Sequence, residues 1–239
     1  RQANPRPYKQ TMIEKISRVQ RIAAAQNSSP IPLNTSLPIS LKVSEKIGFN
    51  RYILKFADKS LNTKSLKPLN AGSQYWGEIE SASENILIRN MFEKPKILEF
   101  PAFENGLWLI ENLISQPNLS WLYEHIFEAL STTQNKEEFK IYTKMITALQ
   151  ESIIHIPFVY NGVLGLLQLK KDRSKSWIYL VFSNFAPIVF ELEKGEISHV
   201  MTPFKNVAAL LKKEFACDIS VQNVLPFWSK DDKIVDFKG

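Results

Sequence analysis

The spacing of apolar residues changes twice along this chain. From Leu41 to about residue 100 they alternate: Tyr52, Leu54 and Phe56 fall on one side of an extended segment, and Arg51, Ile53 and Lys55 on the other. Turn residues interrupt the alternation at Gly48-Phe49-Asn50, at Ala57 to Ser60 and at Pro68-Leu-Asn-Ala-Gly72. Between them Leu61–Ser65, Gln74–Ile79 and Asn85–Arg89 read as further short strands. Breaks every roughly 8–12 residues predict a small β-barrel over residues 41–100.

From 103 to 150 the period lengthens to that of a helix. Leu107, Leu109, Ile110, Leu113 and Ile114 mark one apolar face, which Pro117 ends. Trp121, Leu122, Ile126, Ala129 and Leu130 mark a second, and Ile141, Tyr142, Met145, Ile146 and Leu149 a third. This helical connector, 101–150, has short polar loops that imply antiparallel neighbours.

Strand spacing returns over 151–225. Ile153–Tyr160 runs into Asn161-Gly162, a strong hairpin signal, and Val163–Leu169 answers it. Lys170 to Ser176 reads as a charged loop. Trp177–Phe182, almost wholly apolar, reads as a central strand covered on both faces. Pro187–Leu192 and Glu196–Met201 form a second hairpin about Glu193-Lys194-Gly195. Thr202-Pro203 has the form of an N-cap and first helical residue. Phe204, Val207, Leu210, Leu211 and Phe215 then share a helical face, and Asp218–Val221 closes as a strand. The fold class expected is α+β: an N-terminal small β-barrel, central helices, and a C-terminal α/β sandwich of hairpins plus one helix.

The two flanks differ from this body. In residues 1–40, Ile13, Ile16 and Ala23 recur at helical spacing behind Thr11, while Lys9, Lys15, Arg18 and Arg21 make the other face basic. Pro- and Ser-rich NSSPIPLNTSLP follows as a linker. Residues 226–239 read as a charged tail. The opening stretch has no apolar core of a secretory signal, and no apolar run reaches the ~20 residues that span a bilayer.

Composition narrows the classes. The 239 residues are 44% hydrophobic, enough for a real core. The net charge of +6 permits acidic partners without demanding them. The single cysteine, Cys217, excludes an internal disulfide and reads as a small apolar residue entering a strand.

Catalytic and metal patterns are lacking. The 8 glycines are scattered, so no phosphate-cradling loop forms. His125, His155 and His199 are far apart in sequence; His155 and His199 sit on predicted strands that a fold could bring together, with a hydrogen-bonded strand histidine as the plainer expectation. Glu191, Glu193 and Glu196 surround a hairpin turn, and Glu78, Glu80 and Glu84 resemble them, all as solvated edge charges. Lys170, Lys171, Arg173 and Lys175 read as a solvated basic hairpin end. No catalytic residue, metal ligand or cofactor is assigned. A nucleic-acid surface is the more concrete candidate: Lys55, Lys59, Lys64 and Lys67 could track phosphates while Trp76 stacks a base. Tyr52 and Phe56, at strand period, are expected in the core instead.

RYILKFADKSLNTKSLKPLNAGSQYWGEI resembles a module of bacterial flagellar hook-length control proteins. Its parts here are Tyr52–Phe56, Leu61–Ser65, the Pro68–Gly72 turn and Tyr75–Ile79. The C-terminal block, from Ile156-Pro-Phe-Val-Tyr-Asn-Gly162 through Pro187–Met201 and Phe204–Phe215 to Asp218–Val221, resembles that family's carboxyl domain. The long Pro/Gln-rich ruler of such proteins has no counterpart in this chain. The resemblance implies a non-enzymatic factor, cytoplasmic or exported through the flagellar apparatus, whose partner is the export-gate switch protein. The alternative is a single-stranded nucleic-acid-binding protein that uses the N-terminal barrel.

Overall fold

The computed structural model describes residues 37–229, apart from 57–58, 66, 82–85, 99 and 117. The basic leader with Thr11, most of the linker, Ala57-Asp58, Glu84 and the tail beyond residue 229 lie outside the described residues. Within them the chain forms two sheets joined by a helical layer, a mixed α+β architecture.

The first sheet holds β1 (Ile39–Gly48), β2 (Arg51–Phe56), β3 (Lys59–Lys64), β4 (Gln74–Ser81) and β5 (Ile86–Glu93). Its order is β3-β2-β1-β4-β5, with every neighbouring pair antiparallel. The expected closed barrel is therefore not seen among the described residues: this is a curled half-barrel with β3 and β5 as its two edges. Bulges in β1 and between Trp76 and Glu78 of β4 increase the local twist and supply the curl. The alternation read from the sequence holds. Tyr52 and Leu54 are buried beside Leu41, Val43, Leu69 and Tyr75, while Arg51 and Lys55 face water.

The Pro68–Gly72 turn closes this small core from below. Leu69 inserts its side chain, its N–H donates to Tyr52 Oη (3.2 Å), and the Asn70 N–H donates to Tyr75 Oη (2.9 Å). Two buried phenols thus find partners in a turn whose backbone would otherwise lack them.

The helical layer comprises α1 (Asn105–Ser115), α2 (Ser120–Thr132) and α3 (Lys136–Gln150). Asn135 caps α3 by accepting from the backbone N–H groups of Glu137 and Glu138 (2.9 and 3.4 Å). Ile114, expected on the inner face of α1, is instead 72% exposed in the last turn of that helix. Gly106 lets α1 approach the second sheet closely. A Cβ there would stand 2.0 Å from the Pro157 carbonyl oxygen and 2.7 Å from Phe158 Cα.

The second sheet runs β11-β10-β9-β8-β7-β6, from β6 (Ile153–Tyr160), β7 (Val163–Asp172), β8 (Lys175–Phe182), β9 (Phe185–Glu193), β10 (Glu196–Thr202) and β11 (Asp218–Val221). It is antiparallel except at β10–β11, which are parallel and linked by α4 (Lys205–Glu214). Asn161 and Gly162 take φ of 50° and 74°, the left-handed pair a two-residue hairpin needs. Three expectations are corrected. The charged loop at Lys170 contracts to a turn at Arg173-Ser174, since β7 and β8 pair out to Asp172 and Lys175. Thr202 is the last residue of β10 and not a cap; Phe204 precedes the first turn of α4, without a side-chain cap bond. Residues 224–228 belong to the fold, with Val224 and Trp228 buried.

The two cores meet at Trp76. It projects from β4 yet is 0% exposed and packs with the core of the second sheet, stacked on Phe92 of β5 (centroids 6.2 Å).

Candidate functional site

The lysines expected to contact nucleic acid lie on β2, on β3 and in the loop that follows, while Trp76 lies in the interior. Lys55 and Lys64 are exposed on β2 and β3, and Lys67 is exposed in the following loop. The side chain of Lys59 lies outside what is described. Trp76 is corrected outright: a fully buried ring offers no face to a base. Cross-strand register places two further cations beside these lysines. Lys42 stands opposite Lys55, and Arg51 opposite Lys64. Like charges directly opposite destabilise a sheet, so this outer face favours an anionic neighbour. Phe49, 88% exposed at the β1–β2 turn, is the aromatic on this edge that could stack.

The histidines are kept apart. His155 is on β6 and His199 on β10, with β7, β8 and β9 between them. Four inter-strand spacings separate them by about 19 Å. His155 is sealed, 3% exposed, and its Nδ1 accepts from Gln168 Nε2 (3.1 Å). Gln168 also donates to the Trp228 carbonyl (2.7 Å) and accepts from the N–H groups of Phe227 (2.7 Å) and Trp228 (3.2 Å). Burial, followed by the charge of Lys144, pushes His155 down to about 3, so the ring is neutral. This network latches residues 227–228 over the sheet, where Trp228 meets the His155 ring edge-on (5.0 Å).

His199 Nε2 instead meets Ser220 Oγ at 2.8 Å across β10–β11. Glu191, opposite His199 on β9, is engaged by Lys175 Nζ, whose hydrogen bond lowers the carboxyl below the ordinary range. Glu193 and Glu196 are exposed at the turn, as expected. Glu78 is not an edge charge: it is 9% exposed and accepts from Asn90 Nδ2 (2.6 Å). Cys217 is half-buried against the large core just before β11. Among the described residues no group of three or more His, Cys, Asp or Glu side chains could hold a metal ion.

Two clefts remain. One, ≈ 330 Å³, opens between α2 and α3 beside His125, Glu128, Glu138 and Tyr142. His125 lies within ring contact of Trp108 (5.2 Å) and Tyr142 (5.8 Å). Elsewhere the helical layer leaves large apolar groups in water: Trp108 at 49%, Phe127 at 58% and Phe139 at 48% exposure, and Tyr123 also exposed. The other cleft, ≈ 470 Å³, lies where the two sheets meet. Lys94, just after β5, reaches into it. Its Nζ donates to Ser40 Oγ (2.7 Å) and to the Ser183 carbonyl (2.9 Å), and sits 5.1 Å from the Trp76 ring centroid. Burial lowers its pKa to about 8. The sequence carried no signal for Lys94, because its partners lie 54 and 89 residues away.

Compared with models of protein families, with curated proteins and with solved structures, the chain matches none. No helix among the described residues is long and apolar enough to cross a membrane.

Proposed function

We propose that the chain is a non-enzymatic protein-interaction factor of the kind found in flagellar hook-length control, acting on the switch protein of the flagellar type III export gate. The observation that carries a contact role is the aromatic surface of α1–α3, where Trp108, Tyr123, Phe127 and Phe139 remain exposed over a filled core. Large aromatic side chains left in water are the residue types in which protein interfaces are enriched. The ionisable groups favour contact over chemistry: His155 is sealed and neutral, and Glu191 is held by Lys175. The flagellar assignment rests on the resemblance of the Tyr52–Ile79 module and of the hairpin, helix and strand block. The strand–helix–strand unit β10–α4–β11 at its end is in keeping with it.

The test has a cellular and a physical arm. Deletion of the chain should lengthen hooks or block the change of export substrate; hooks of normal length with normal filament export would refute the flagellar reading. Purified protein should bind the cytoplasmic domain of the export switch, and Trp108→Ala with Phe127→Ala should weaken that binding at least tenfold while circular dichroism stays unchanged.

A second reading, single-stranded nucleic-acid binding by the curled sheet, is favoured by one observation, the opposed cation pairs Lys42–Lys55 and Arg51–Lys64 near Phe49. It predicts binding that weakens steeply with salt and that Lys55→Glu with Lys64→Glu abolishes. Absence of binding at low salt removes it.

A further inference from the structure

We propose that the cleft at the junction of the two sheets is a binding site for a small oxyanion, a carboxylate or a phosphate, with Lys94 as its counter-charge. The site is independent of the interaction role above and uses none of the same residues.

An ammonium group carries three donors. Here Ser40 Oγ and the Ser183 carbonyl take two of them, and both acceptors are neutral. Among the described residues Lys94 forms no ion pair. A clamp between the sheets could be made by any neutral donor, whereas a desolvated cation without an anion is costly. The Trp76 ring beneath it offsets part of that cost and holds the amine in position. Partial burial lowers the amine's pKa to about 8, as expected of a cation that has lost some of its water.

The surroundings suit an anion. The cleft, ≈ 470 Å³, has the size of a small-molecule site and lies between two packed units, where such sites concentrate. Lys96 lines the same wall. Glu93, the carboxylate on that wall, is turned to Asn70 Nδ2 (3.0 and 3.3 Å). Ser73, Gln74 and Ser183 supply hydroxyl and amide groups around the opening. Gly72, in the left-handed region at φ 88°, has no atom within 4 Å of where a Cβ would stand, so the turn leaves the mouth clear.

Calorimetric titration of the full chain with inorganic phosphate, and separately with succinate, tests the site at low salt and pH 7. Tryptophan emission is followed in parallel, because Trp76 lies under the amine. Saturable binding of either ion is expected, and the arm that binds more tightly identifies the source of the oxyanion. Lys94→Met should weaken it at least tenfold and Lys96→Met about threefold. Raising the pH from 7 to 9.5 should weaken binding to the wild type at least tenfold, as Lys94 loses its proton; Glu93 and Lys96 are the other titratable groups lining the cleft. Because Lys94→Met also removes the clamp, a measurement on the unmodified protein stands beside it. Saturating phosphate or succinate should slow acylation of the Lys94 amine about tenfold, read by mass spectrometry. No saturable binding of either ion, binding unchanged in Lys94→Met, or an amine left unprotected would each overturn the site.

Discussion

The two sheets solve the same problem with unequal means. The second packs against α1, α3, α4 and residues 224–228, with α2 seated on α3, and its core runs from Phe103 to Val224. Among the described residues, the first buries Leu41, Val43, Tyr52, Leu54, Leu69 and Tyr75 of its own. A core of that size is marginal. It is supplemented by polar staples, the two phenols bonded to the Pro68–Gly72 turn, and by lending Trp76 to its neighbour. The difference teaches that the half-barrel is a dependent unit: its fold is completed at the junction, and the junction is where a desolvated lysine and a cleft are found.

The largest test of this dependence is Trp76→Ala. Losing a fully buried indole costs about 4 kcal/mol. Urea unfolding followed by tryptophan emission and far-ultraviolet dichroism should split into two transitions, the first sheet melting before the second. One shared transition would show that other contacts couple the units. Gly106→Val attacks the other side of the comparison. Its side chain cannot avoid the Pro157 carbonyl and Phe158 backbone, so α1 should lift from β6 at a cost of about 3 kcal/mol, lowering the melting point of the second unit.

The third test uses acid. His155 is neutral in the fold and its pKa is about 3 there, against an ordinary value of 6.5. The unfolded chain therefore takes up a proton below pH 6.5 that the folded chain refuses. The stability contribution is complete above pH 6.5 and falls by about 1.4 kcal/mol per pH unit down to about pH 3. Denaturation midpoints of wild type and His155→Leu, measured from pH 7 to 4, should diverge in slope, the variant being flatter. A wild-type slope identical to the variant's would remove His155 as the cause. The smallest effect is at Asn135: its replacement by alanine removes the α3 cap and should cost about 1 kcal/mol, with m-value unchanged.

What could be read from the residues follows from range. Alternation at Tyr52-Leu54-Phe56 and the Asn161-Gly162 hairpin are local statements, and both hold. Thr202-Pro203 carries the local form of a helix start, but ladder pairing of β10 with β11 extends through Thr202 and displaces the helix by two residues. Trp76 reads locally as one more aromatic beside lysines; only a neighbouring sheet, brought in from far along the chain, buries it. Lys94 is the extreme case, since every group that defines it comes from a different element. The His155–Gln168 pair is local across one hairpin, yet its purpose appears only when Phe227 and Trp228 arrive.

That last contact has a consequence for synthesis. The hairpins from β6 to β10 close on near neighbours and can assemble as the polypeptide leaves the ribosome. The face carrying His155, Gln168 and Tyr179 stays unroofed until residues 227 and 228 have been made. A product that terminates early would display a wet, protonatable imidazole and an open apolar surface, which proteases and chaperones would read as unfinished.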